Sequence, residues 1–193
     1  MQISPLVLFV KERTTVLIRN DDVSVDTTLD NIRRFFELCD KLALEIVHCI
    51  TPLGETHGIH FQMTDDEIVA LGKKKTFLDN WEVISYLRSR KDEIAVHGLW
   101  HSHMPSINDI LIAKNVLMSA GLIPTYFVPP FNEGYYPGDI CGLKLLQEIP
   151  NVEHFLDSGS PESDKVYLHS WRFGQWYPQE KLEQCFARIT TAP

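Results

Sequence analysis

Paired cysteines, a basic excess and a long apolar run are all missing from this chain, and each absence removes a class of protein. The four cysteines, Cys39, Cys49, Cys141 and Cys185, are widely spaced with no C-x-x-C pair, so they read as reduced thiols packed in apolar surroundings. Lys and Arg total 18 against 26 Asp and Glu, a net charge of −8, which leaves no electrostatic footprint for DNA or RNA. The longest apolar run near the N-terminus, Leu6 to Val10, is far shorter than a signal-peptide core or a membrane span, and no basic segment precedes it. A soluble, cytoplasmic protein without a membrane span is expected. Internal repeats, low-complexity tracts and linkers are also missing. With 193 residues and 44% hydrophobic content, residues 1–193 read as one domain with a substantial core.

What is present is organised around His97-Gly98-Leu99-Trp100-His101-Ser102-His103, which follows the apolar run Ile94, Ala95, Val96. His97 and His101 stand four apart, a spacing that puts both rings on one side of a helical or tightly turned backbone, where they can share a divalent ion. Two neutral nitrogens need a carboxylate to complete a site. Asn20-Asp21-Asp22-Val23 supplies one at the end of another strand-like run, Val16, Leu17, Ile18, and the two strand ends are expected to converge.

Along the chain two hydrophobic periods alternate. Strands are expected at Thr15–Arg19, Glu45–Ile50, Glu93–Val96, Tyr126–Val128 and Val166–Leu168, with a weaker one at His154–Leu156. Helical spacing links Leu29, Ile32, Phe36, Cys39 and Leu42 behind the caps Asp26 and Thr28. A further helix is expected over Thr76–Ser89, with Trp81, Ile84 and Leu87 inward, and another after Ser106 up to Ala120-Gly121, in which Ile107, Ile110, Leu111, Lys114, Leu117 and Met118 keep the helical period. Short helices are read at Thr64–Gly72 and Gly142–Glu148, and a last one from Pro178.

Repeated strand-helix units imply a mainly parallel α/β sheet covered by helices. Asp21 and Asp22, His97, Pro129-Pro130-Phe131 and His169 each come just after a strand, the positions that share one rim in a parallel barrel. The chain is short for eight units. The expectation is a distorted or incomplete (β/α) barrel of six or seven mainly parallel strands.

These residues carry a resemblance. Asn20-Asp21-Asp22-Val23, His97 to His101, Phe127-Val128-Pro129-Pro130-Phe131 and Leu168-His169-Ser170 match, in order, four motifs of the polysaccharide deacetylase family, the chitooligosaccharide deacetylase homology domain. The resemblance spans about Val16 to His169 and implies a metal-dependent carbohydrate de-N-acetylase on a distorted barrel. It implies Asp21 as base, Asp22, His97 and His101 as metal ligands, the proline and aromatic loop as site lining, and His169 as acid. The chain departs from the pattern at Gly98, where the family has Ser or Thr; at Val23, where it has glycine; and at Val128, where it has the arginine that holds the catalytic aspartate. No clear Asp-x-x-Asp-Trp motif is present, although Asp157 lies in the right interval. The chain therefore reads as a divergent subgroup.

Amide hydrolysis asks for the same parts: an activated water, an oxyanion site and a proton for the leaving nitrogen. Asp22, His97 and His101 fit Zn²⁺, and also Fe²⁺, Co²⁺ or Ni²⁺. Asp21 would take a proton from water, and His169 would protonate the amine. The backbone N–H of Phe131 is the first donor after Pro129 and Pro130, which have none. Pro130, Trp100 and Trp171 are candidate sugar contacts. Each reading has a rival. Asp21-Asp22 would otherwise be a helix cap, which Asp26 and Thr28 supply better; His169 a packed imidazole; the aromatics ordinary core; and His103 a substitute ligand at less suitable spacing. His48 is expected in the core, and His57 and His60 on a rim loop. The expected activity is removal of an acetyl group from an N-acetylated sugar, free, nucleotide-linked or lipid-linked, in the making of a surface polysaccharide precursor. The alternatives are a deformylase or other small-amide hydrolase, and an inactive carbohydrate- or partner-binding barrel.

Overall fold

A computed structural model of the chain describes residues 17–42, 44–53, 76–147, 165–169, 180 and 183–184. Strand β1 (Leu17–Val23) leads into helix α1 (Leu29–Lys41), then β2 (Glu45–Ile50), a 3-10 turn (Phe77–Asp79), α2 (Trp81–Arg88) and β3 (Glu93–Val96). Helix α3 (Ile107–Ser119) follows, then β4 (Pro124–Phe127), a 3-10 turn (Pro130–Asn132), β5 (Asp139–Ile140), β6 (Leu143–Leu145) and β7 (Lys165–Leu168).

The strands form one seven-stranded sheet in the order β5-β6-β4-β3-β2-β1-β7. Every ladder is parallel except β5 with β6. From β1 to β4 each strand adds beside the last in one direction, whereas a doubly wound sheet reverses at a switch point. β7 then pairs with the other edge of β1, as the last strand of a barrel does. Among the described residues the ring is open between β5 and β7, which is the incomplete, mainly parallel barrel expected.

Strand alternation sorts the side chains onto two faces. Ile18, Ile46, Ile50, Ile94, Val96 and Phe127 join the helices' Ile32, Phe35, Phe36, Val83, Leu87, Ile110 and Leu117 in the main core. The opposite face carries a smaller cluster of Val47, Cys49, Ala95 and Val128. Arg19 and Asp21 lie on that second face by alternation along β1, and both are buried.

The helices begin where their caps dictate. Thr28 accepts from the Asn31 N–H at the start of α1, with Asp30 in the first turn and Lys41 in the last. Ser106 and Asp109 form a capping box on α3, and Gly121, at φ +73°, follows its end.

Four expectations need correcting. The helix over Thr76–Ser89 is broken at Asn80, whose side-chain amide donates to the carbonyls of Ser24, Val25 and Thr27. The break shifts the phase of α2, so Val83, Ile84 and Leu87 face inward and Trp81 is 67% exposed. Gly142–Glu148 does not begin as a helix: Cys141 and Gly142, at φ +55° and +69°, turn a hairpin between β5 and β6. Cys141 is therefore partly exposed, unlike buried Cys39 and Cys49. In α3, Ala113 joins Ile110 and Leu117 inside while Ile107, Leu111 and Met118 are exposed. Thr64–Gly72, His154–Leu156, His57, His60 and Cys185 lie outside the described residues, as does all of the last helix except Glu180, Glu183 and Gln184.

Candidate metal centre

Adjacent residues on a strand point to opposite faces, so Asp21 and Asp22 need a backbone irregularity to serve one site. β1 supplies it. Its pairing with β2 passes from Asn20↔His48 to Val23↔Ile50, one extra residue on β1. Asp22 also takes φ +59°, a left-handed conformation that aspartate adopts more readily than most residues. Such bulges re-aim side chains beside functional sites. Here the bulge swings the Asp22 carboxylate toward three imidazoles.

Asp22 Oδ1 lies 3.3 Å from His97 Nε2 and 3.0 Å from His101 Nε2, and Oδ2 lies 3.3 Å from His169 Nε2. His97 sits just beyond β3, where its backbone N–H donates to the Ile50 carbonyl and its carbonyl accepts from the Thr51 hydroxyl. Its ring Nδ1–H donates to the Val128 carbonyl at 2.8 Å, which leaves a bare lone pair on Nε2. Gly98 follows at φ +79°, and a Cβ there would meet the Trp100 carbonyl oxygen at 2.5 Å, so the family's Ser or Thr does not fit this turn.

This donor set fits a divalent cation. Ligand atoms of Asp22, His97 and His101 all fall within 4.8 Å of one another. Among the described residues, buried Asp22 Oδ1 has no hydrogen-bond partner, although an imidazole lone pair faces it. A carboxylate and neutral imidazoles turned toward one point repel unless something positive lies between them. One carboxylate and two imidazoles are ordinary zinc ligands that leave positions open for catalysis. Burial alone would raise the Asp22 pKa, but His101 and His97 outweigh it and hold the carboxyl well below its usual range. Burial likewise opposes charge on His97, yet the nearby Asp22 carboxylate and the Asp21 charge raise its pKa above the ordinary imidazole value, against the effect of Arg19. The field that favours a proton there favours a metal cation too, and the two compete.

A buried arginine on β1 holds Asp21. Arg19, 1% exposed, grips Asp21 with both ends of its guanidinium: Nε donates to Oδ1 at 2.8 Å and Nη2 to Oδ2 at 2.7 Å. Its Nη1 donates to Asn132 Oδ1 at 2.9 Å, tying the base candidate to the proline loop. The bidentate fork fixes the carboxylate plane in a way a lysine would not. Sequence reasoning missed this pair, although Arg-x-Asp within a strand places both side chains on one face.

Phe131, at φ +59°, sets its ring edge-on to His101, with centroids 4.3 Å apart, and Pro130 is buried beside Gly98. His103 is no ligand of the cluster; it pairs with Glu133 and stacks on Phe131. Trp100 is half-buried against the main core, Tyr136 donates to the Pro105 carbonyl, and Tyr135 is fully exposed. His48 is a core residue, as expected. Trp171, Trp176 and Asp157 lie outside the described residues. No helix among the described residues is long and apolar enough to cross a membrane.

No family model matches the chain, and no curated protein matches it by sequence. Solved structures do. A family 4 acetyl xylan esterase from Clostridium thermocellum, solved with a cobalt ion, superposes with TM-score 0.54 at 15% identity over 90% of this chain and 81% of that one. A peptidoglycan deacetylase from Bacillus subtilis gives 0.57 at 11% identity over 91% and 83%. A CE4 family pseudoenzyme from Bacillus anthracis gives 0.58 at 11% over 92% and 61%. The resemblance read from four short motifs thus holds in three dimensions, and the chain carries the fold of the CE4 polysaccharide deacetylases in a divergent form.

Proposed function

We propose that the protein is a metal-dependent hydrolase that removes the acetyl group from an N-acetylated sugar, acting on a cytoplasmic precursor of a surface polysaccharide. The observation that carries this reading is the orphaned, buried Asp22 Oδ1 facing two imidazole nitrogens, beside a second carboxylate already gripped by arginine. Asp22, His97 and His101 would hold the ion, with Zn²⁺ the best match to the donor set. When bound, such an ion supplies Lewis acidity to a carbonyl and to water.

The other roles fall to the chain's own groups. Each Asp21 oxygen takes one arginine donor and keeps a lone pair, so the carboxylate can accept a proton from an attacking water. Arg19 keeps it aimed. His169, across β1 from the other two histidines, delivers a proton to the departing nitrogen, which otherwise leaves as a poor amide anion. The Phe131 N–H donates to the developing oxyanion. Pro130, Trp100 and Trp171 are the proposed sugar contacts.

The inert-barrel reading deserves a test, because one protein of similar fold is described as a pseudoenzyme. Its main support was the missing arginine, and Arg19 supplies the grip that arginine would give. Protein purified without chelator should be assayed for metal and, with metal restored, against N-acetylated and N-formylated sugars. Turnover of N-acetyl substrates supports the proposal. Turnover of N-formyl substrates alone moves it to the small-amide reading, and metal without turnover on any of them favours the binding barrel.

A further inference from the structure

The two histidines of the metal set are held differently. His97 has its ring fixed by the Val128 carbonyl, whereas among the described residues the second nitrogen of His101 has no hydrogen-bond acceptor. His101 also lies on an irregular turn and not on a helix or strand. Metal-binding imidazoles normally have such a partner, and losing it typically weakens metal binding or activity. What touches the His101 ring is Phe131, edge-on at 4.3 Å. Phe131 is also packed by His103, stacked at 4.3 Å with planes 17° apart. His103 Nδ1 is in turn joined to the Glu133 carboxylate. Three rings are therefore in contact in series, from the metal ligand through Phe131 to His103, and the His103–Glu133 contact closes the series.

The loop that carries this stack is under strain and held at several points. Phe131 and Asn132 both have left-handed backbones, at φ +59° and +57°. For a bulky residue such a conformation is strained and persists only where surroundings impose it. Arg19 holds the Asn132 side chain, and Gln147 donates to the carbonyls of Asn132 and Gly134. The His103–Glu133 pair is a further link between the histidine loop and the proline loop, beside the Tyr136–Pro105 hydrogen bond. Side chains 42% and 54% exposed gain little stability from pairing, so the pair's value lies in what it aligns.

We infer that His103 and Glu133 form a latch that positions the metal ligand His101 through the Phe131 ring, in place of the hydrogen bond that orients His97. This rests on the metal reading of the site. His103 is a positioning residue and touches neither metal nor substrate.

The test is the dissociation constant for Zn²⁺ alone, from competition with a chelating indicator, with the melting temperature of each metal-free variant measured beside it. His103→Ala and Glu133→Ala should each weaken Zn²⁺ binding, with His103→Ala losing about 10- to 100-fold. The melting temperature of the metal-free form should stay near wild type. In a Phe131→Ala background neither substitution should add a further loss, because the path to His101 is already cut. His103→Phe, which keeps the stacked ring, should recover much of the affinity. Unchanged Zn²⁺ affinity in His103→Ala, a lowered melting temperature without an affinity loss, or a loss that persists undiminished without the Phe131 ring would overturn the latch. If wild type binds Zn²⁺ and His97→Ala does not, such a result removes the latch alone; if wild type binds none, the metal reading itself fails.

Discussion

Two histidines on neighbouring strands are almost equally buried, His48 at 0% exposed and His97 at 2%, yet their surroundings drive them in opposite directions. His48, in β2, faces the helix side of the sheet, with Phe36 at 4.9 Å and Phe35 edge-on. Burial pushes its pKa below the ordinary imidazole value; Asp92 opposes this and Arg90 adds to it. His97, one residue beyond β3, faces Asp22 and Asp21, and its pKa is raised despite equal burial. Burial therefore does not mark a site. A carboxylate aimed at the ring within about 3 Å does, and here it is aimed by a bulge of one residue in β1.

The sharpest way to break this contrast is through the two aspartates, which are adjacent and chemically identical. Asp21 is gripped by Arg19 and directed at water in the proposed reaction; Asp22 faces the imidazoles. Asp21→Asn should leave metal content nearly intact while turnover falls by about 10²- to 10⁴-fold, the usual worth of a general base. Asp22→Asn should lose metal and turnover together. Elemental analysis paired with kinetics reads both, and equal metal loss in the two variants would dissolve the division of labour.

Next in size is the grip itself. Arg19→Met removes the bidentate partner of a buried carboxylate, and breaking a buried ion pair from one side typically costs about 3–5 kcal/mol. Urea unfolding should show that loss. Arg19→Lys should restore part of the stability but little of the turnover, since one ammonium cannot reproduce a planar fork. Should Arg19→Lys prove fully active, the orientation of Asp21 is not what the arginine contributes.

How much of this was legible in the chain follows from which signals are local. Glu45–Ile50 and Glu93–Val96 are strands with the expected bounds, and Ser106 caps its helix, because periodicity and caps act over a few residues. The convergence of Asp22, His97, His101 and His169 followed from placing each after a parallel strand. The bulge was not legible: an aspartate at positive φ carries no mark in its own identity. Nor was the Arg19 to Asn132 bond, which joins residues 113 apart in sequence. β1 was expected to end at Arg19; the polar residues after it, Asn20, Asp21 and Asp22, are buried, and the strand runs on to Val23. The Cys141-Gly142 hairpin was hidden by apolar spacing that suits either period over so short a span.

The smallest effect expected is the most direct check on His48 as the counterpart of His97. The Asn20 amide donates to His48 Nδ1 at 3.1 Å, which puts the ring proton on Nε2, and Asp92 Oδ2 lies 3.9 Å beyond, too far for a hydrogen bond. Phe35 and Phe36 from α1 cover the ring, and Arg90, stacked over Phe36, brings the nearest positive charge. The folded protein thus resists protonating His48, whereas the unfolded chain takes up a proton near the reference value of 6.5. The unfolded state then binds more protons as pH falls below 6.5, so His48 lowers stability on the acid side and contributes nothing above it. His48→Gln, which offers Asn20 another acceptor and does not titrate, should flatten the slope of unfolding free energy between pH 6.5 and 5 by up to about 1.4 kcal/mol per pH unit. Both proteins are compared metal-free, so whatever the metal ligands contribute is common to the two. Parallel slopes would mean that His48 is protonated in the folded state and that the contrast with His97 does not hold.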